Sequence, residues 1–94
     1  MVKVIAKSVY KEDKVSEAKQ MLGELVEKSR KEDGCLSYNL YEDMSDSSIL
    51  VMVEEWKTDE DIKNHQLTEH YTRIIPALKP FRKSSEVNRY KLVF

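Results

Sequence analysis

Apolar and polar positions along this chain predict four strands and two helical regions. The longest apolar run covers residues 49–53 without a polar interruption and is followed by Glu54, Glu55 and Trp56. A strand with one solvated face would alternate, so an unbroken run indicates a strand that is covered on both faces. We expect the other elements to be arranged around this central strand.

Three other segments also have the pattern of strands. Val2–Tyr10 and Cys35–Glu42 alternate in character from residue to residue, and residues 87–94 form a C-terminal run that is rich in apolar side chains. The polar segment 43–48 predicts a turn between the second strand and the central one. Those two strands should therefore pair as antiparallel neighbours.

Two regions show the 3.6-residue spacing of amphipathic helices. The first covers residues 14–31, where acidic residues before the start and basic residues near the end complement the helix dipole. Gly34 is expected to stop it. The second begins after Thr58, a good capping residue, and continues in a segment that Pro76 is expected to interrupt and Pro80 to close.

The order of elements is strand, helix, strand, strand, helix, strand. This order predicts an α+β protein with the ferredoxin-like βαββαβ arrangement and a four-stranded antiparallel sheet. We find no repeat or linker, so residues 1–94 are expected to form a single domain. Because the helices cover only one face of such a sheet, the other face is expected to be buried in a homodimer through the sheet faces.

Charge and cysteine content narrow the classes of function. Charged residues make up 35% of the chain but the net charge is −1, which gives no general attraction to nucleic acid or to a membrane surface. No apolar run approaches the roughly 20 residues of a membrane span, and the N-terminus lacks a signal-peptide pattern, so we expect a cytoplasmic protein. Cys35 is the single cysteine and no cluster has zinc-site spacing, so no metal is expected.

Seven residues spread over most of the chain have an order and spacing that resemble a known family: Glu32, Gly34, Tyr38, Glu54, Trp56, His65 and His70. The pattern is similar to that of the antibiotic biosynthesis monooxygenase family, including its quinol monooxygenase-like members. One departure is Glu69, which stands before His70 where a proline is common. The resemblance implies a dimeric α+β barrel built from two ferredoxin-like subunits, in agreement with the order of elements.

The resemblance also implies a chemistry. Members of this family that oxygenate multi-ring phenols do so without flavin, haem or metal, so a cofactor-independent monooxygenase acting on a quinol or polyphenol with molecular oxygen is expected. Ground-state oxygen is a triplet, and the substrate must supply electrons as a phenolate or enolate. The protein would bind a flat aromatic molecule, assist its deprotonation, stabilise the anion and exclude water.

His65 and Glu54 are the candidate catalytic residues. An imidazole titrates near neutral pH, so His65 suits proton transfer, and Glu54 could orient the imidazole or accept its proton. A buried Glu54 would need a partner, for which His65 or Arg73 is expected. Trp56, on the same strand face as Glu54, offers a flat apolar wall.

The remaining candidates are assigned to substrate binding: Trp56, Tyr38, Asn39, His70, Tyr71 and Lys7. Tyr38 and Asn39 have opposite strand parity, so both should not face the same cavity. Each candidate also has a purely structural interpretation. For example, a histidine beside a carboxylate can simply join a helix to the sheet, and Lys7 can lie on a solvated strand face.

Two other functions stay open at this point. One is an isomerase or degrading enzyme for a small oxygenated metabolite, which would favour a more polar cavity that uses Lys7, His65 and His70. The other is a non-catalytic small-molecule-binding dimer, in which side chains would fill the pocket.

Overall fold

The computed structural model describes residues 1–94. The elements in chain order are β1 (Val2–Tyr10), α1 (Val15–Ser29), β2 (Cys35–Glu42), β3 (Ile49–Trp56), α2 (Asp59–Gln66), α3 (Glu69–Leu78) and β4 (Arg82–Tyr90). A 3₁₀ turn at Lys79–Phe81 joins α3 to β4. The strands form one antiparallel sheet in the order β2-β3-β1-β4, which confirms the ferredoxin-like α+β fold. No helix combines the length and the apolar character that crossing a membrane requires.

The hydrophobic core lies between the three helices and one face of the sheet. Along β3 every second residue is buried, and these residues are Leu50, Met52, Glu54 and Trp56. Their side chains point towards the helices because successive residues of a strand point to opposite faces. Pairing with β1 aligns Val4 with Glu54. One acidic side chain is therefore built into the buried face of the sheet.

The opposite face of the sheet has no helix over it. It carries aliphatic side chains in register, with Ile5 opposite Val53 and Val9 opposite Ile49. These residues, and Val51 between them, are only half-buried. We call this surface the open face.

The turn between α1 and β2 differs from the sequence prediction. Helix α1 ends at Ser29, so the predicted end at residue 31 was two residues too late. Gly34 lies beyond the helix with φ +83°, and a Cβ atom there would sit 2.2 Å from Cγ of Asp61. A glycine is thus required both by the backbone conformation and by the close approach of Asp61. The tight turn holds Glu32 beside α2.

The last strand and the proline-containing helix also differ from prediction. Strand β4 covers Arg82–Tyr90 and not residues 87–94. It is an edge strand paired only with β1, and the solvated side chains of its first half gave no apolar signal. Pro76 lies inside α3 instead of interrupting it. A proline at this position removes one i→i−4 hydrogen bond, yet α3 continues for two residues beyond it.

A register shift in β2 changes the face on which Cys35 lies. Cys35 pairs with Trp56, whereas Ser37 pairs with Glu55, so one extra residue is accommodated between them. Cys35 consequently packs against the core, on the helix-covered side of the sheet. Strict alternation along β2 would place Cys35 on the same face as Asn39.

Candidate active site

The break between α2 and α3 brings two histidines to the same corner of the molecule. Helix α2 begins at the cap residue Thr58, whose side chain accepts a hydrogen bond from the Asp61 N–H. His65 lies near the end of this helix on its buried side. Thr68 caps α3 and also donates a hydrogen bond to the His65 carbonyl, at 2.7 Å. This shared residue fixes the position of His70, in the first turn of α3, relative to His65.

Glu32 joins the two histidines through one carboxylate oxygen. Its Oε2 lies 2.6 Å from Nδ1 of His65 and 2.7 Å from Nε2 of His70. The side chains are well shielded, with 13% of Glu32 and 3% of His65 exposed. Hydrogen bonds to an ionised acceptor are among the strongest in proteins, so the three residues form a rigid unit.

The second ring nitrogen of His65 is buried and has no hydrogen-bond partner. A carboxylate can only accept hydrogen bonds, so the contact with Glu32 places the proton of a neutral His65 on Nδ1. Nε2 is then a lone-pair acceptor, and His65 lines a cavity between the helices and the sheet. Burial lowers the pKa of His65, an effect that its contact with Glu32 opposes. The imidazole is therefore a neutral base near pH 7.

Three aromatic rings fix the orientation of the His65 ring. The ring centroid of Trp56 is 4.7 Å away, that of Tyr71 is 5.0 Å away and that of Tyr38 is 5.5 Å away. Tyr71 and Tyr38 meet the imidazole edge to face, the geometry that aromatic pairs favour. Rotation of His65 away from Glu32 would thus collide with packed side chains.

Glu54 is a second buried acid beside the cavity. It is 7% exposed and accepts a hydrogen bond of 2.9 Å from Nε1 of Trp56. Burial raises the pKa of Glu54 to about 7, although the Trp56 hydrogen bond lowers it. The predicted pairing of Glu54 with His65 or Arg73 was wrong. Arg73 instead binds Glu24 and Glu69 on the surface.

A cavity of about 130 Å³ lies between the helices and the sheet. Most of the residues around it are hydrophobic, and His65, Glu54 and Tyr71 supply polar atoms. A cavity of about 150 Å³ lined by aliphatic and aromatic side chains takes up benzene, so this one has room for about one aromatic ring. The cavity opens beside β4, where the lining residues Ser85 and Val87 are exposed.

The structure distributes the eight candidates from the sequence over three locations. His65, Glu54, Tyr38 and Tyr71 line the cavity. Trp56 and His70 lie directly behind His65, in contact with its ring or its partner Glu32. Asn39 and Lys7 lie away from the cavity: Asn39 accepts a hydrogen bond from Arg30, and Lys7 is exposed on the open face.

Sequence reasoning gave no site role to Glu32 or Arg82. Glu32 belongs to the motif that carries the family resemblance, and this was the available signal for it. Its contact with His65 spans 33 residues and depends on the turn at Gly34. Arg82 is the first residue of β4 and lines the cavity. The predicted strand began only at residue 87, so Arg82 was not expected in any strand.

Glu32, His65 and His70 are also the residues that could hold a metal ion. Their ligand atoms lie within 4.8 Å of one another, and two histidines with one carboxylate suit several transition metals. The distances of 2.6 and 2.7 Å to one shared oxygen are those of hydrogen bonds. A metal would have to displace the protons in both contacts.

The structure is that of a small ferredoxin-like α+β protein in which a buried Glu–His cluster borders a mainly apolar cavity. The family model described as antibiotic biosynthesis monooxygenase matches residues 1–77. The chain belongs to this family.

Proteins and structures similar to this chain carry matching descriptions. "Putative monooxygenase YcnE" of Bacillus subtilis is 36% identical over 61 residues, which is 65% of this chain and 60% of YcnE. The match thus spans less than two thirds of YcnE. "Putative monooxygenase Rv0793" of Mycobacterium tuberculosis is 34% identical over 70 residues, 74% of this chain and 68% of that protein. A crystal structure described as an antibiotic biosynthesis monooxygenase superposes with a TM-score of 0.96 at 34% identity and covers 100% of both chains.

Proposed function

We propose that this protein is a cofactor-independent monooxygenase that oxidises a quinol or a related phenolic aromatic molecule with molecular oxygen. The observation that carries the proposal is Nε2 of His65, a buried acceptor without a partner in a residue that lines the cavity. A buried polar atom without a partner is costly. A substrate hydroxyl that donates to Nε2 would remove that cost.

The first step is removal of a phenolic proton. The hydroxyl hydrogen passes to Nε2 of His65 and leaves a phenolate in the cavity. His65 becomes an imidazolium whose Nδ1–H still donates to Glu32, so the new positive charge lies 2.6 Å from a carboxylate oxygen. The arrangement of base and orienting acid follows the logic of catalytic triads.

The phenolate then reduces oxygen. One electron moves to O₂, and the two radicals combine at a ring carbon to give a peroxide anion. This anion takes back the proton held by His65, and the resulting hydroperoxide loses water. One oxygen atom becomes the new oxygen of the ring and the other leaves as water, so a hydroquinone and O₂ give a hydroxyquinone and H₂O. The substrate supplies every electron. The mainly apolar lining supports this step because it keeps water away from the reactive intermediates.

Glu54 is the second proton-exchanging group at the cavity. With a pKa of about 7 it is present in both forms at neutral pH. In its protonated form it can donate a hydrogen bond to a substrate oxygen, and in its ionised form it can accept one. We assign it to holding the second oxygen of the quinol.

The open face supports association of two chains. Ile5, Val9, Ile49, Val51 and Val53 would otherwise leave an aliphatic surface in water. A second copy with the same surface would bury it through a symmetric interface. We therefore include a homodimer through the sheet faces in the proposal.

The cavity favours oxygenation over the two alternatives. An isomerase or degrading enzyme for a small polar metabolite was expected to use Lys7 and His70, yet Lys7 lies on the open face and His70 does not line the cavity. A non-catalytic small-molecule-binding dimer was expected to have its pocket filled by side chains, whereas about 130 Å³ is empty. An apolar cavity with one buried base suits an aromatic substrate better.

Oxygen uptake tests the proposal. Protein treated with a chelator is mixed with a set of hydroquinones in an oxygen electrode, and the products are analysed by mass spectrometry after reaction under ¹⁸O₂. We expect uptake above the autoxidation rate for at least one compound, with one labelled oxygen in the product and the other in water. Uptake at the autoxidation rate for every compound would reject the proposal.

A further inference from the structure

The cavity extends along the sheet as a strip between β1 and β4. Four alternate residues of β1 line it, and so do the four residues opposite them in β4: Val4, Ala6, Ser8 and Tyr10, then Arg89, Val87, Ser85 and Arg82. Glu54 lies opposite Val4 on the other side of β1. Four residues of a strand span about 13 Å, so the acidic end and the end at Ser8 and Ser85 are well separated.

Arg82 supplies a positive charge at the far end of this strip. It is half-buried, and its Nη1 donates to Oγ of Ser85 at 3.3 Å. Ser85 Oγ also accepts from Ser8. Its own hydroxyl hydrogen therefore remains available to a ligand. The guanidinium has five N–H donors, of which the contact with Ser85 occupies one.

No acidic side chain pairs with Arg82, whereas two of the other three arginines bind carboxylates. Arg73 binds Glu24 and Glu69, and Arg89 binds Asp59. Arg30 donates to the Tyr38 carbonyl and the Asn39 side chain. The nine ion pairs of the structure include none at Arg82.

Two further positive side chains lie beside Arg82 on the solvent side of the cavity. A shallow depression outside the cavity is lined by Lys79, Arg82, Lys83, Ser84 and Ser85. Arg82 and Ser85 belong to both the depression and the cavity. An anion entering at this place meets positive charge first and the mainly apolar cavity afterwards, an arrangement that steers and orients charged ligands.

We propose that Arg82 and Ser85 bind a carboxylate at one end of an elongated substrate whose aromatic ring lies at the His65 end of the cavity. Planar bidentate binding of carboxylates is the geometry that guanidinium groups favour. The aliphatic side chains between the two ends would contact a thin connecting chain that leaves the cavity beside β4. The identity of the aromatic end rests on the proposed function, whereas the carboxylate site stands on Arg82 and its surroundings.

Calorimetric binding under anaerobic conditions tests the site without any turnover. The probes are a hydroquinone that bears a carboxyalkyl chain and the methyl ester of the same compound. We expect the acid to bind wild-type protein about tenfold more tightly than the ester, because a factor of about ten in affinity is what one hydrogen bond to a charged group contributes. Arg82→Gln should remove this preference, and Arg82→Lys should keep part of it.

Lys83→Gln is the matched control, because it removes the same charge from the depression but not from the cavity. It should keep the preference for the acid, and thermal melting of each variant checks the fold. The inference would be overturned if wild-type protein bound acid and ester with equal affinity or bound neither of them. It would also be overturned if Lys83→Gln lost as much of the preference for the acid as Arg82→Gln. A preserved acid preference without oxygen uptake would instead reject the proposed oxygenation and leave this carboxylate site standing.

Discussion

Oε2 of Glu32 lies 2.6 Å from Nδ1 of His65, although the two residues are 33 positions apart in the sequence. The contact sets the tautomer of His65 and leaves Nε2 as its buried acceptor. It exists because Gly34 turns the chain back against α2 with a positive φ that other residues rarely adopt. The chemistry proposed for the cavity therefore depends on a residue outside it.

Glu32→Gln tests that dependence. The amide oxygen can still accept from Nδ1 of His65, but the charge that stabilises the imidazolium is lost. We expect kcat for hydroquinone oxidation to fall about tenfold or more, with a smaller change in KM, because the interaction is strongest after proton transfer. Glu27→Gln, on the exposed side of α1, is the control and should leave kcat unchanged. Equal rates for wild-type and Glu32→Gln protein would contradict the role of Glu32.

The pH dependence of kcat/KM tests the state of His65. Since burial lowers the pKa of His65, the basic form should predominate above pH 6.5, and activity should rise through an acid limb centred below that value. Loss of the Glu32 charge should move the limb to still lower pH. The profile is measured in Glu54→Gln protein as well, because the pKa of Glu54 is about 7 and that residue lines the same cavity. An acid limb above pH 6.5 in both proteins would be inconsistent with His65 as the base.

Glu54→Gln should stabilise the protein at alkaline pH. The pKa of Glu54 is about 7 in the folded chain and 4.5 in the unfolded reference, so the unfolded chain ionises first. The stabilising contribution of Glu54 to the free energy of unfolding is fully present below pH 4.5 and is lost as the pH rises through 7. Urea unfolding should show the variant more stable than wild type by up to about 3 kcal/mol at pH 8 and equally stable near pH 4. A constant difference across this range would contradict the raised pKa.

Val51→Glu tests the proposed dimer. Val51 is half-buried on the open face. In a symmetric interface, Val51→Glu would bury one carboxylate from each of the two copies, which is costly. Light scattering after size exclusion should give the mass of one chain for Val51→Glu and of two chains for the wild type. Val51→Thr keeps the side-chain volume and should stay dimeric. A wild-type protein with the mass of one chain at micromolar concentration would remove the dimer from the account.

The sequence predicted the elements whose side chains alternate or cluster clearly. β1 and β2 were placed correctly because their apolar positions follow a period of two, and β3 because of its unbroken apolar run. Thr58 identified the start of α2 by its capping chemistry. β4 was misplaced because its first half is solvated and pairs only with β1. An exposed edge strand lacks the pattern on which such predictions depend.

The candidate site could be predicted only in part. His65 and Glu54 followed from residue type and from the face of their elements, and both line the cavity. The partner of Glu54 was mispredicted as His65 or Arg73, although Trp56 lies two residues away on the same strand face. Glu32 and Arg82 come from a turn and from a strand end that reach the site only after folding. No local pattern reports such contacts between distant segments.

The central claim is that His65 removes the proton that starts the reaction with oxygen. The most direct test is the rate of oxygen uptake by chelator-treated His65→Gln with the best hydroquinone, measured beside wild type and His70→Gln. We predict a rate at least about 100-fold below wild type for His65→Gln, the usual contribution of a general base, and a smaller loss for His70→Gln. A folded His65→Gln protein that consumes oxygen at the wild-type rate would contradict the account.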